Sequence, residues 1–237
     1  MPRLRRVPLP SHIPMALLFL VRHGQASFGA ANYDCLSELG RQQARWLGEY
    51  FAGRELKFKR VLAGTLTRQQ DTAREILQAM AHQGEHEVHP GLNEYEAEPL
   101  YAAHTNGADP REHQKSDYRG YWRTFKQAMV AWSEGTLEGV PETWEAFGVR
   151  TAAALEAACR DLARDEAVLV VSSGGAICRA LANILGCPGR TAIELNLQFR
   201  NAAFCELIAG GETPRLLSFN SIPHLDQPDR RASITFA

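Results

Sequence analysis

The sequence predicts an α/β protein: three layers, with a mostly parallel sheet flanked by helices and a helical insertion. Three observations point there. Short apolar runs of β type alternate with apolar stripes at helical spacing along most of the chain. The two strongest runs, residues 17–21 and 168–171, are apolar throughout, as strands covered on both faces are. Each breaks into a turn, Arg22-His23-Gly24 and Ser172-Ser173-Gly174-Gly175, and open α/β sheets present ligand sites at the carboxyl ends of their strands.

The elements follow in order. Residues 17–21 form the first strand. Leu36, Leu39, Leu47 and Phe51 then recur at helical spacing behind the cap Ser37. Residues 58–63 give a second strand. Thr67 with Gln70 resembles a capping box ahead of the stripe Leu66, Ala73, Ile76, Leu77 and Met80. Residues 88–92 give a weaker strand. Residues 100–165 leave this rhythm and read as helical, with Tyr121, Phe125 and Met129 on one stripe and Trp144, Phe147, Thr151, Ala154, Leu155 and Leu162 on another. The first part, about 100–140, reads as an insertion packed over one end of the sheet. The run at 168–171 feeds a helix carrying Ile177, Leu181, Ile184 and Leu185, closed by Gly186 and Pro188. Residues 203–208 and 215–219 are late strands. A single domain over 15–226 results. Residues 1–14 are expected to be a disordered arm, with Met15 an alternative start, and 227–237 a C-terminal tail.

Composition narrows the function classes. The chain has 237 residues, is 45% hydrophobic and carries a formal net charge of −1. A broad field favouring nucleic acid or an anionic membrane is therefore absent, and any anion site is local. No apolar stretch approaches the roughly 18 residues of a membrane helix. Arg3, Arg5 and Arg6 ahead of an apolar run mimic a secretory signal, but Pro8, Pro10 and Pro14 intervene and a small-x-small cleavage site is missing. The five cysteines (Cys35, Cys159, Cys178, Cys187 and Cys205) are odd in number and form no C-x-x-C pair. A reduced, cytoplasmic setting fits them.

Five segments carry chemistry. Arg22-His23-Gly24 puts a guanidinium, which grips phosphate through two parallel hydrogen bonds, beside an imidazole that can attack phosphorus. Gly64-Thr65-Leu66-Thr67-Arg68 offers amides, hydroxyls and a second guanidinium near a helix amino end. Glu94 follows the weak strand; a carboxylic acid beside a phosphate dianion has a raised pKa and can protonate a leaving oxygen. Ser172-Ser173-Gly174-Gly175 lets backbone approach an anion at a helix amino end. It is neither a dinucleotide fingerprint nor a lysine-bearing phosphate loop. His224 follows the last strand. Each segment alone reads first as something bland: a satisfied histidine at a strand end, a capped helix or a solvated surface residue.

In this order the segments resemble the histidine phosphatase superfamily, also called phosphoglycerate mutase-like, over most of residues 16–225. Arg22-His23-Gly24 matches its Arg-His-Gly signature. Leu36-Ser37-Glu38-Leu39-Gly40 matches its leucine-threonine-x-x-glycine helix start. Thr65-Leu66-Thr67-Arg68 with Gln70-Asp71-Thr72-Ala73 looks like the segment bearing its second core arginine, and Glu94 falls where it carries its acid. Two positions depart from the pattern: Ser173 stands where the family usually has a second histidine, and residues 25–29 hold no asparagine. The resemblance implies a phosphomonoester hydrolase with His23 as nucleophile, Arg22 and Arg68 on the phosphate oxygens, and Glu94 as general acid and base. Gln25, Ser173 and Gly174 are expected at the substrate, with His224 as a replacement donor for the missing histidine. No metal or cofactor is implied, because guanidinium groups supply the positive charge. Trading a charged donor for Ser173 costs about 1–3 kcal/mol, or roughly 10- to 100-fold in rate. A phosphomutase, or a weakened phospho-ligand binding or regulatory protein, stays open. The partner expected is a small phosphorylated substrate, without nucleic acid or membrane; assembly into a homo-oligomer is also open. Lys115, Arg119 and Arg123 reach a second anionic group or form a charged helix face.

Overall fold

The computed structural model describes residues 15–27, 34–210 and 213–236; the expected arm at 1–14, and Phe28 and Gly29 of the segment without asparagine, lie outside them. Six strands form one sheet in the order β3-β2-β4-β1-β5-β6. They are β1 (Leu17–Arg22), β2 (Phe58–Ala63), β3 (Glu87–Val88), β4 (Ala167–Ser172), β5 (Phe204–Ile208) and β6 (Arg215–Ser221). β1, β2, β3 and β4 run parallel. β5 and β6 join antiparallel at one edge. The strands β1, β2 and β4 therefore end on the same edge of the sheet.

Helices cover both faces. α1 (Glu38–Gly53) and α2 (Thr67–Ala79) lie on one side. There Leu47, Phe51 and Ile76 pack on Phe19, Val21, Val61, Leu169 and Val171. α3 (Ala97–His104), α5 (Tyr118–Ser133), α6 (Trp144–Cys159), α7 (Gly174–Leu185) and α8 (Gly189–Gln198) cover the other, on Leu18, Leu20, Leu62, Val168 and Val170. The short α4 (Pro110–Ser116) buries no residue. Alternate residues of β1 and β4 thus go to opposite cores, as the two-residue period of a strand requires, and every residue of β4 is buried. Burying a side chain such as Phe19 or Leu20 contributes about 1.5–3 kcal/mol, so the central strands carry much of the core.

Several expectations are corrected. The strand at 88–92 is only Glu87–Val88, followed by a 3-10 turn over Pro90–Leu92. Pro90 has no N–H for a ladder, and a Cβ on Gly91 would press on Arg150 O at 2.8 Å. Thr67 does not cap α2. That helix has no side-chain cap from its own start; Asp34 Oδ2 accepts from Thr67 N at 2.9 Å instead. Ser37 does cap α1, accepting from Gly40 N at 3.0 Å. α8 was not foreseen, because it buries only Ala192 and Ile193 and so shows no stripe. The tail lies on the domain: Gln43 Nε2 donates to Ser233 O at 2.7 Å and to Thr235 Oγ1 at 2.9 Å.

Candidate active site

His23 is positioned by backbone. It directly follows β1, donating its N–H to Ser172 O at 2.9 Å and accepting from Ala202 N at 3.2 Å. The loop is pressed against the start of α1, where a Cβ on Gly24 would overlap Gly40 O and one on Gly40 would overlap Gln25 O. This close passage explains why glycine stands at both places.

The imidazole is held in one tautomer. Its Nδ1 lies 2.7 Å from Gly24 O. A carbonyl only accepts, so Nδ1 carries the proton and Nε2 keeps its lone pair. Arg68 Nε donates to that lone pair at 3.2 Å. Burial, then the charges of Arg68 and Arg22, hold the His23 pKa well below its ordinary value, outweighing the Gly24 bond that raises it. The ring is 4% exposed and Arg22 and Arg68 are buried beside it. Arg22 donates Nη1 to Phe199 O. Arg68 Nη1 meets Asp34 Oδ1 at 2.7 Å, and the other oxygen of Asp34 holds the amino end of α2. One carboxylate thus fixes both the guanidinium and the helix carrying it.

Glu94 is positioned by side chains and a helix end. Its Oε2 accepts from Gly175 N, in the first turn of α7, at 2.9 Å, and its Oε1 accepts from Tyr95 N at 3.2 Å. Burial raises its pKa, and these two amides with Arg68 and Arg22 only partly offset that. The carboxyl therefore keeps its proton to higher pH than an exposed glutamate does. A Cβ on Gly175 would overlap Glu94 Oε1 and the Tyr95 ring, and one on Gly174 would overlap Asn196 Oδ1. Two glycines at this helix start are space for the acid and its neighbours.

The remaining expected residues divide. Ser173 is buried, directly follows Ser172, the partner of Arg22 in the sheet register, and accepts from Gln69 Nε2 at 2.8 Å. It occupies the cap position of α7 without capping it. Gln25 turns toward α1, where its Oε1 accepts from Ser37 Oγ at 2.8 Å. His224 is not brought to the site by any contact among the described residues. Its ring lies 6.4 Å from that of Tyr50, both ring nitrogens are buried without a partner, and burial, then Arg230, lowers its pKa to about 3. Lys115, Arg119 and Arg123 are exposed, as a charged helix face is. Asp34, Gln69, Tyr95 and Asn196 were missed: Gln69 and Tyr95 adjoin Arg68 and Glu94 but carry no mark of a role, and nothing in their spacing links Asp34 and Asn196 to the site. Among the described residues no group of three or more His, Cys, Asp or Glu side chains could hold a metal ion.

The charges of Arg22 and Arg68 act on both His23 and Glu94, and the chain that carries these residues is matched by a family model. The histidine phosphatase superfamily (branch 1) aligns with residues 18–222. The chain belongs to this superfamily. The superfamily fold recurs in solved structures. Phosphoserine phosphatase of Entamoeba histolytica, in complex with 3-phosphoglyceric acid, superposes with a TM-score of 0.64 at 22% identity, over 89% of this chain and 100% of that one. Phosphoglycerate mutase of Bacillus anthracis superposes with a TM-score of 0.62 at 18% identity, over 89% and 95%. A curated relative, the mitochondrial serine/threonine-protein phosphatase Pgam5 of Caenorhabditis briggsae, is 42% identical over 60 residues, spanning 25% of this chain and 21% of the relative. No helix among the described residues is long and apolar enough to cross a membrane.

Proposed function

We propose that the protein hydrolyses phosphate monoesters of small substrates through a phosphohistidine on His23. The observation that carries this reading is the state of the imidazole: Nδ1 is held by Gly24 O, and Nε2 is turned to a guanidinium that would share a phosphoryl group with it. Nε2 attacks phosphorus in line and the ester P–O bond breaks. Arg22 and Arg68 bind the equatorial oxygens and offset their charge. Glu94 gives its proton to the departing alcohol oxygen. As a carboxylate it then takes a proton from water, whose oxygen forms the new P–O bond as P–N breaks. Phosphate leaves, and His23 regains its lone pair.

Ser173 favours a slower enzyme over an inactive one. With Gln69 filling its acceptor side, its own O–H is left for a phosphoryl oxygen, one neutral hydrogen bond in place of a charged one. Hydrolysis of 4-nitrophenyl phosphate, run beside His23→Ala, tests the reading. The account expects turnover that disappears in the variant. Equal background in both would overturn it in favour of a phospho-ligand binding protein.

A further inference from the structure

Arg150 stands on α6, away from the groups that would touch phosphate. Its Nη1 donates to Gly91 O at 3.1 Å and Asn93 O at 2.7 Å, and its Nη2 to Glu94 O at 3.4 Å. The same guanidinium grips Glu142 twice, Nε to Oε1 at 2.6 Å and Nη2 to Oε2 at 2.8 Å. It also lies over the Phe147 ring, 4.6 Å from its centroid, and Phe147 meets the Tyr95 ring edge-on at 5.7 Å.

All three carbonyls belong to the irregular stretch that carries the acid. Past His89, whose N–H reaches Ala63 O at 2.8 Å, this stretch has left the sheet. No strand ladder fixes it, so a planar fork of donors takes the ladder's place. We propose that Arg150, oriented by Glu142, is a positioning residue that sets where the Glu94 carboxyl stands relative to the leaving oxygen. The inference rests on the role given to Glu94 above. A lysine there keeps the charge but has no fork to span three carbonyls and a carboxylate.

The distinguishing readout is the leaving group. An acid that is out of place matters little when the departing phenolate is stable and much when it is not, whereas a merely structural arginine would affect all substrates alike. The experiment measures kcat/KM, which reports the phosphorylation half-reaction, for aryl phosphates from 4-nitrophenyl to 4-methoxyphenyl. Glu94→Gln is expected to steepen the dependence on leaving group. Arg150→Lys is expected to steepen it in the same direction, with a loss of about 10- to 100-fold on the poorest leaving group, the scale of a misplacement near 1 Å. Glu142→Gln, which keeps Arg150 and its packing, is expected to do the same more weakly and decides the matter if Arg150→Lys does not fold. Uniform loss across the series in both variants, with Glu94→Gln still steepening it, overturns the positioning role alone. No steepening in Glu94→Gln overturns the role of Glu94 itself, and the positioning role with it.

Discussion

His23 and Glu94 both feel the charges of Arg22 and Arg68, yet they are held in place differently. His23 sits at the end of a central strand, with a backbone hydrogen bond on either side. Glu94 sits beyond a two-residue edge strand and a 3-10 turn, in a stretch held by side chains from three distant places. Leu92 O accepts from Ser172 Oγ at 2.6 Å and Gln69 Nε2 at 3.1 Å. Asn93 Oδ1 accepts from Thr65 N at 2.7 Å. Arg150 takes the carbonyls of Gly91, Asn93 and Glu94. A group fixed by backbone tolerates changes in its surroundings, while one fixed by side chains is exposed to substitutions far from the chemistry.

The contrast can be broken first at the arginine. Arg68 serves the nucleophile half through a direct bond to Nε2 and reaches Glu94 only through its charge. Arg68→Ala is expected to lower kcat/KM by about 10²–10³-fold, the usual effect of losing one preorganised donor to transition-state charge. Asp34→Asn, which keeps the guanidinium but loosens its partner, is expected to cost about tenfold, or some 1.4 kcal/mol. Both losses should be even across leaving groups. A leaving-group-dependent loss in either variant would show that the two halves are not separable.

The pH profile sharpens the comparison, because each limb reports one half. The proposed first step needs neutral His23 and protonated Glu94. Activity falls on the acid side as His23 takes up a proton, at a pH below its ordinary 6.5. It falls on the alkaline side as Glu94 loses one, at a pH above its ordinary 4.5. Rate against pH for kcat/KM should show both limbs. Glu94→Gln should abolish the alkaline limb and leave the acid limb in place. An acid limb at or above pH 6.5 would contradict the assignment of His23.

The last expected effect is on stability rather than on rate, and it tests the burial of His224. Its folded pKa is about 3 against an ordinary 6.5. As pH falls through that window, the unfolded chain takes up a proton that the folded protein refuses, so stability is lost on acidification. His224→Phe should flatten the slope of unfolding free energy against pH by up to about 1.4 kcal/mol per pH unit, read from denaturant melts between pH 7 and pH 4. His23 shifts in the same direction, so part of the slope should survive. An unchanged slope would mean that His224 titrates as an exposed residue does.

Legibility in the sequence follows the same division. The nucleophile half could be read because its residues are contiguous and lie where two fully apolar strands end: Arg22, His23, Ser173 and Gly174 all fall in the first few residues past β1 and β4 or at their last position. Arg68 was legible from a turn at a helix start. Glu94 was found through the order of motifs, although its strand is mostly a 3-10 turn. Asp34, Gln69 and Arg150 could not be read. Each acts across more than 20 residues of sequence through a side chain whose type is common on any helix or loop, and no local period marks the pairing. His224 looks available as a polar residue after a last strand, and its neighbours, Tyr50 and Arg230, could not be read from the sequence.

The most direct measurement is a rapid acid-free quench of the protein during turnover of a phosphate monoester, followed by peptide mapping. The account predicts one phosphoryl group, labile to acid and stable to alkali, on the peptide containing His23 and absent from His23→Ala. Turnover at full rate with no such adduct, or with phosphate on another residue, would contradict it.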